Sequence, residues 1–146
     1  MSIKAPVVMD SSAMIAIALV ESRGGSVLQT IRANPGGCFI HSVNAYEVAS
    51  RLMEEGVGFD EAWEAALFGG VLLVDEITLD MSRRAVLLKN TNRHLSLGDC
   101  HCLAFAEEMG GSLMTTDERL AEASTIIKAI HFPSVWLKPP PSGGML

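Results

Sequence analysis

Short apolar runs alternate with amphipathic stretches along most of the chain. Pro6-Val7-Val8-Met9 is apolar at every position and gives way at Asp10 to a helical pattern. That is how a strand buried on both faces of a parallel sheet reads. Ser11 and Ser12 are placed to cap a helix over 13–21. A second helix is expected over 26–33, stopped by Asn34-Pro35-Gly36-Gly37. Cys38-Phe39-Ile40-His41 reads as the next strand, and Ser42 as the cap of a helix reaching Glu55. Its apolar stripe is Ala45, Val48, Ala49, Leu52 and Met53, at three-and-four spacing.

The alternation continues. Asp60 is expected to cap a helix over 60–67, with a strand over 71–74 and a helix over 79–89. Ser96 caps a helix over 97–109 that Gly110-Gly111 ends. Leu113-Met114-Thr115 is a strand running into Asp117, followed by a short helix over 118–123 and a last strand over 126–130. Strands alternating with helices predict an α/β domain: a central, mainly parallel, twisted sheet flanked by helices. The domain is expected to occupy residues 1–137. Residues 138–146, with their Pro-Pro-Pro-Ser-Gly-Gly run, read as a flexible tail.

Composition narrows this picture. The 146 residues fit one domain, and 49% apolar against 19% charged residues is a globular balance. The longest uncharged apolar run, 13–20, is too short to span a bilayer, which takes roughly 20 residues. It also lacks a basic flank, so a secretory signal is not expected and a cytoplasmic location is. The three cysteines, Cys38, Cys100 and Cys102, read as reduced core thiols. Cys100-His101-Cys102 has no second pair elsewhere and lacks zinc-ligand spacing. A net charge of −6 argues against a nonspecific nucleic-acid coat protein, but leaves room for an acidic site with a local basic rim.

Asp10 and Asp117 each follow an apolar strand, at the carboxyl edge where open α/β sheets build their sites. Asp99 begins a helical face continued by Cys102, Leu103 and Ala106. A carboxylate there is costly unless paired or bound to a cation. Glu47, judged on spacing alone, reads as a solvent-facing acid paired with Arg51 at i+4. Carboxylates converging at a sheet edge repel one another unless they are protonated or bind cations, and oxygen-rich sites suit Mg²⁺ or Mn²⁺. No Ser-His-Asp or Cys-His arrangement is evident, and His41, His94, His101 and His131 read as surface or core residues with at most accessory roles. Arg83, Arg84, Lys89 and Arg93 form a basic run that either guides RNA or solvates a helix face.

Taken together, four segments resemble the motifs of PIN domains. Val7-Val8-Met9-Asp10-Ser11-Ser12-Ala13 resembles the opening strand with its first acid, and Val43-Asn44-Ala45-Tyr46-Glu47-Val48 the helix with the family's glutamate. The run from Ser96 to Ala106 is similar to the third acidic motif, and Leu113-Met114-Thr115-Thr116-Asp117 to the T-x-D element. The detailed pattern is most similar to VapC toxins of bacterial toxin–antitoxin pairs. The resemblance implies a metal-dependent endoribonuclease acting on structured RNA. Asp10, Glu47, Asp99 and Asp117 would hold Mg²⁺ or Mn²⁺, directly or through water, so that a bound water attacks the phosphodiester. Ser12, Asn44 and Thr115 match supporting positions. It also implies a homodimer and a cognate VapB-like antitoxin that occupies the active site.

Two departures stand out. Cys100 replaces an arginine frequent in relatives, and Glu118-Arg119-Leu120 lacks the aromatic that often follows the T-x-D element. Two alternatives remain open on sequence. One is a receiver-type phosphoacceptor domain, which wants paired acids after the first strand and a lysine after the last, where Lys128 falls inside the predicted strand. The other is a catalytically silent PIN-like binding module.

Overall fold

Strands that are apolar on both faces have to be covered on both sides, and this requirement organises the molecule. A computed structural model of the chain describes residues 5–123 and 129–131. Five strands form one sheet: β1 (Val7–Met9), β2 (Cys38–His41), β3 (Leu72–Val74), β4 (Ser112–Thr115) and β5 (Ala129–His131). Their order is β3-β2-β1-β4-β5 and every pairing is parallel. The helices are α1 (Ser11–Ala18), α2 (Gly24–Ala33), α3 (Ser42–Glu54), α4 (Phe59–Ala66), α5 (Leu79–Thr91), α6 (Leu97–Met109) and α7 (Glu118–Ala123).

The strand pleat splits the core in two. Val7 and Met9 face a cluster with Ile40 of β2 and with Met14, Val27, Ile31, Val48 and Ala62 from α1 to α4. Val8 points the other way, into a cluster with Met81, Leu88, Leu95, Leu103, Phe105 and Leu113. In β4 the same alternation sends Met114 to the first cluster and Leu113 to the second. The chain runs outward from β1 to β2 and β3, then returns through α5 and α6 to β4 on the other side of β1. The order therefore reverses between β1 and β4, whose carboxyl ends lead into Asp10 and into Thr116-Asp117. Such a switch point is where an open parallel sheet leaves a crevice.

The structure corrects several local expectations. Ser11 and Ser12 lie inside α1, and the extended residue before it is Asp10, whose side chain makes no capping bond. The carboxylate is turned to other partners. The His41 ring, not Ser42, caps α3: its Nδ1 accepts from Val43 N at 3.2 Å. Gly58 occupies the cap of α4, leaving Asp60 in the first turn beside the helix dipole. Met53 is 48% exposed, so it leaves the predicted core stripe of α3. Helix α5 runs two residues beyond the expected end, to Thr91. The expected strand over 126–130 lies partly outside the described residues, with Ala129–His131 forming β5; the expected tail at 138–146 lies outside them altogether.

Candidate active site

Asp10 is placed by the end of β1, where Asp10 N donates to Met114 O at 2.9 Å across the switch point. Its carboxylate is buried and bonded on one side only. Ser12 Oγ donates to Oδ2 at 2.6 Å, and Thr115 Oγ1 donates to the same oxygen at 2.9 Å. Among the described residues Oδ1 is buried with no hydrogen-bond partner. Burial pushes the Asp10 carboxyl up to about 6; the two hydroxyls pull it down, and the charges of Asp99 and Glu47 add to the rise. Ser12 and Thr115, the positions that the family resemblance marks as supporting, thus both bond Asp10, and their hydroxyl oxygens lie 3.2 Å apart.

Glu47 projects from α3 toward the first turn of α6, not toward Arg51. Arg51 instead pairs with Glu55 at 2.6 Å, as exposed neighbours one helical turn apart. Asn44, one turn before Glu47, is fully buried; its Nδ2 donates to Glu47 Oε1 at 2.9 Å and to Gly98 O at 3.2 Å. Desolvation raises the Glu47 pKa, opposed by hydrogen bonding to Asn44 and Ser11 and reinforced by the charge of Asp99. Asp99 has a second task. Its Oδ2 accepts from Ser96 N at 3.2 Å while Ser96 Oγ accepts from Asp99 N at 3.1 Å, a complete capping box. The buried face expected behind Asp99 is present, although α6 is buried on every side from Cys100 to Ala106.

Asp117 stands at one remove. Its backbone N donates to Thr115 Oγ1 at 2.9 Å, which links it to Asp10 through one hydroxyl. Its own carboxylate faces its loop, with Oδ1 accepting from Arg119 N at 2.9 Å and lying 3.7 Å from Arg119 Nε. The predicted basic run divides. Arg83 pairs with Asp80 at 3.1 Å, and Arg84 holds Glu107 at 2.8 Å across α5 and α6. Lys89 donates to the carbonyls of Arg93 and Leu95, tying the α5–α6 loop. Arg93 is exposed and makes no ion pair among the described residues. With Val86, Lys89, Asn90 and Leu97 it lines a cavity of about 410 Å³ at the mouth of the loop leading to α6.

All three cysteines are free and buried. Cys102 Sγ lies 3.8 Å from Met9 O, and burial, then the charges of Asp10, Glu47 and Asp99, hold its thiol well above the ordinary range. Cys100 is enclosed in the second core cluster, so it offers no side chain to a ligand in solvent. His41 and His101 are core residues with ring centroids 4.3 Å apart, and His94 is exposed. The His131 side chain lies outside the described part of the structure. Two features of the site were not foreseen from sequence: Cys102 as part of its wall, and the contact between Gly98 and Glu47. A glycine in the first turn of an acid-bearing helix was the available signal for the second.

The donor set suits a hard divalent cation. It is oxygen throughout, two of its carboxyls are raised by burial and mutual charge, and Asp10 Oδ1 is an orphaned buried acceptor. Among the described residues, no three acidic, histidine or cysteine side chains are drawn to ligating distance of one point. The acids therefore do not form a closed cage among the described residues. No described helix is long and apolar enough to cross a membrane.

The sequence model described as PIN domain matches residues 7–126, and the chain belongs to that family. Among solved structures it is similar to VapC20 of Mycobacterium tuberculosis, described as a sarcin–ricin-loop-cleaving toxin. That similarity has 19% identity over 82% of this chain and 96% of the other, with a TM-score of 0.65. A toxin–antitoxin complex from Klebsiella pneumoniae matches at 19% identity over 85% and 95%, TM-score 0.65. DNA-bound VapBC from Salmonella typhimurium matches at 14% over 86% and 97%, TM-score 0.64. At these identities the likeness establishes the fold. No curated protein matches the chain in sequence. The strand order differs from that of receiver domains, which place their first strand between the second and third.

Proposed function

We propose that this protein is a metal-dependent endoribonuclease and the toxin of a toxin–antitoxin pair, with Asp10, Glu47, Asp99 and Asp117 as its catalytic and metal-directed acids. The observation that carries this reading is Asp10: a fully buried carboxylate at the switch point, with one oxygen unpartnered and two further acids close enough to raise its pKa. Retaining such an arrangement is unfavourable for folding unless a cation makes use of it. Asp10, Glu47 and Asp99 would hold Mg²⁺ or Mn²⁺, and Asp117 would join directly or through water. When bound, the cation supplies a more acidic water and neutralises charge on the phosphodiester.

The chain's own residues do the rest. Ser12 and Thr115 fix Asp10 by one oxygen and leave the other presented. Asn44 orients Glu47, and Ser96 orients Asp99. Arg93 supplies the uncommitted positive charge for an RNA phosphate, while Arg83, Arg84 and Lys89 are engaged within the fold.

The partners belong to the same reading: a VapB-like antitoxin that covers the acids, and a second copy of the chain. Exposed apolar side chains support a partnered molecule. Tyr46, Met53 and Phe59 are 59%, 48% and 56% exposed, and with Trp63 they line a groove of about 590 Å³. Contiguous exposed apolar surface of this kind marks contact sites. The test is cleavage of total bacterial RNA by the purified, partner-free chain. Products should appear with Mn²⁺ or Mg²⁺ and vanish with EDTA; a folded, metal-binding protein that yields none would contradict the substrate assignment.

A further inference from the structure

Glu47 rests against a residue that has no side chain. A β-carbon built on Gly98 would fall inside the contact distance of Glu47 Oε2, 2.9 Å from Cδ and 3.2 Å from Oε1. Nothing in the backbone calls for glycine there. Gly98 lies in the first turn of α6, and it is absent from the glycines with positive φ. Alanine would be the better helix former at such a position. The carboxylate cannot simply swing away from an added methyl. Asn44 Nδ2 holds Oε1 at 2.9 Å, and the same nitrogen holds Gly98 O at 3.2 Å. Asn44 is itself buried with no measurable exposure, so the amide has no freedom to follow.

We propose that Gly98 is a positioning residue: its bare Cα is the seat of the Glu47 carboxylate, and the Asn44 amide clamps that carboxylate to the Gly98 peptide. The seat joins α3 to α6 and sets where Glu47 presents its oxygens beside Asp99. Its consequence for metal binding rests on the reading of Glu47 as a metal-directed acid; the seat itself does not.

Gly98→Ala, Glu47→Ala and the double variant separate the two. In EDTA, Gly98→Ala is expected to lower Tm by roughly 2–4 °C in the wild-type background. In the Glu47→Ala background the same change should leave Tm unchanged or raise it, because the clash is gone and helix propensity remains. Calorimetry with Mn²⁺ alone should show affinity roughly 10-fold weaker in Gly98→Ala than in wild type. If Gly98→Ala does not fold, recovery of folding in the double variant supports the seat and continued failure overturns it. An equal Tm change in both backgrounds overturns it too. Wild-type Mn²⁺ affinity in Gly98→Ala overturns the consequence for metal binding, and the melting comparison alone decides the seat. A wild-type chain that binds no Mn²⁺ contradicts the proposed function instead, and the melting comparison then decides the seat by itself.

Discussion

Burying a carboxylate costs free energy unless protein or cation compensates, and at Asp10 the described residues compensate only one oxygen. Its folded pKa of about 6 stands above the ordinary 3.8. The stability linked to this group is therefore fully present below about pH 4 and lost as pH rises through about 6. That rise in pKa corresponds to about 3 kcal/mol. In EDTA, Tm is expected to fall across that window, and Asp10→Asn should flatten the fall. Mn²⁺ should raise Tm above about pH 6 and do little at pH 4, since protons compete for the same oxygen. Thermal melts over pH, with and without the ion, check this; identical profiles for wild type and Asp10→Asn would sink it. Thr115→Val removes a hydroxyl shared by Asp10, Ser12 and the Asp117 backbone, and Mn²⁺ affinity measured by calorimetry should drop roughly 10- to 100-fold. Single residues were unevenly legible in the sequence. Asp10 could be placed because a strand ends at it. Glu47 could not, because a helical wheel ranks faces within α3 and is silent about the first turn of α6, 51 residues later, where its carboxylate rests.

At the scale of elements, α5, α6 and the loop between them divide the basic run into bonded and unbonded side chains. Arg84 bridges the two helices through Glu107, a partly buried pair worth about 0.5–1 kcal/mol. Arg93 bridges nothing. Arg84→Ala should therefore lower Tm slightly and leave kcat/KM on RNA near wild type. Arg93→Ala should leave Tm unchanged and lower kcat/KM, with a weaker dependence on salt. Kinetics at two salt concentrations separate them, and equal effects of both changes would refute the division. The elements themselves were readable because apolar runs and three-and-four stripes are local properties. Their caps were less so. His41, a poor cap by reputation, serves α3 because a ring nitrogen reaches Val43 N, and Gly58 serves α4 by its extended backbone with no side chain at all. Ser96 was legible, since Asp99 three residues later completes the reciprocal pair.

At the scale of the molecule, periodicity implied a parallel α/β sheet but not its order. Order depends on which crossover packs on which face, and α5 and α6 return past β1 only because Val8, Leu113 and Leu103 close a second core there. That return creates the crevice between β1 and β4 and brings Asp10, Glu47 and Asp99 from three separate stretches of chain within electrostatic reach. The central claim is that these acids cleave RNA with a divalent cation. The most direct test incubates the partner-free chain and Asp99→Asn with total bacterial RNA in Mn²⁺, with and without EDTA. Asparagine keeps an oxygen to accept from Ser96 N, so the cap of α6 survives while the charge is lost. Discrete products from wild type alone, abolished by EDTA, are the predicted result. Equal cleavage by Asp99→Asn, or cleavage that persists in EDTA, would contradict the account.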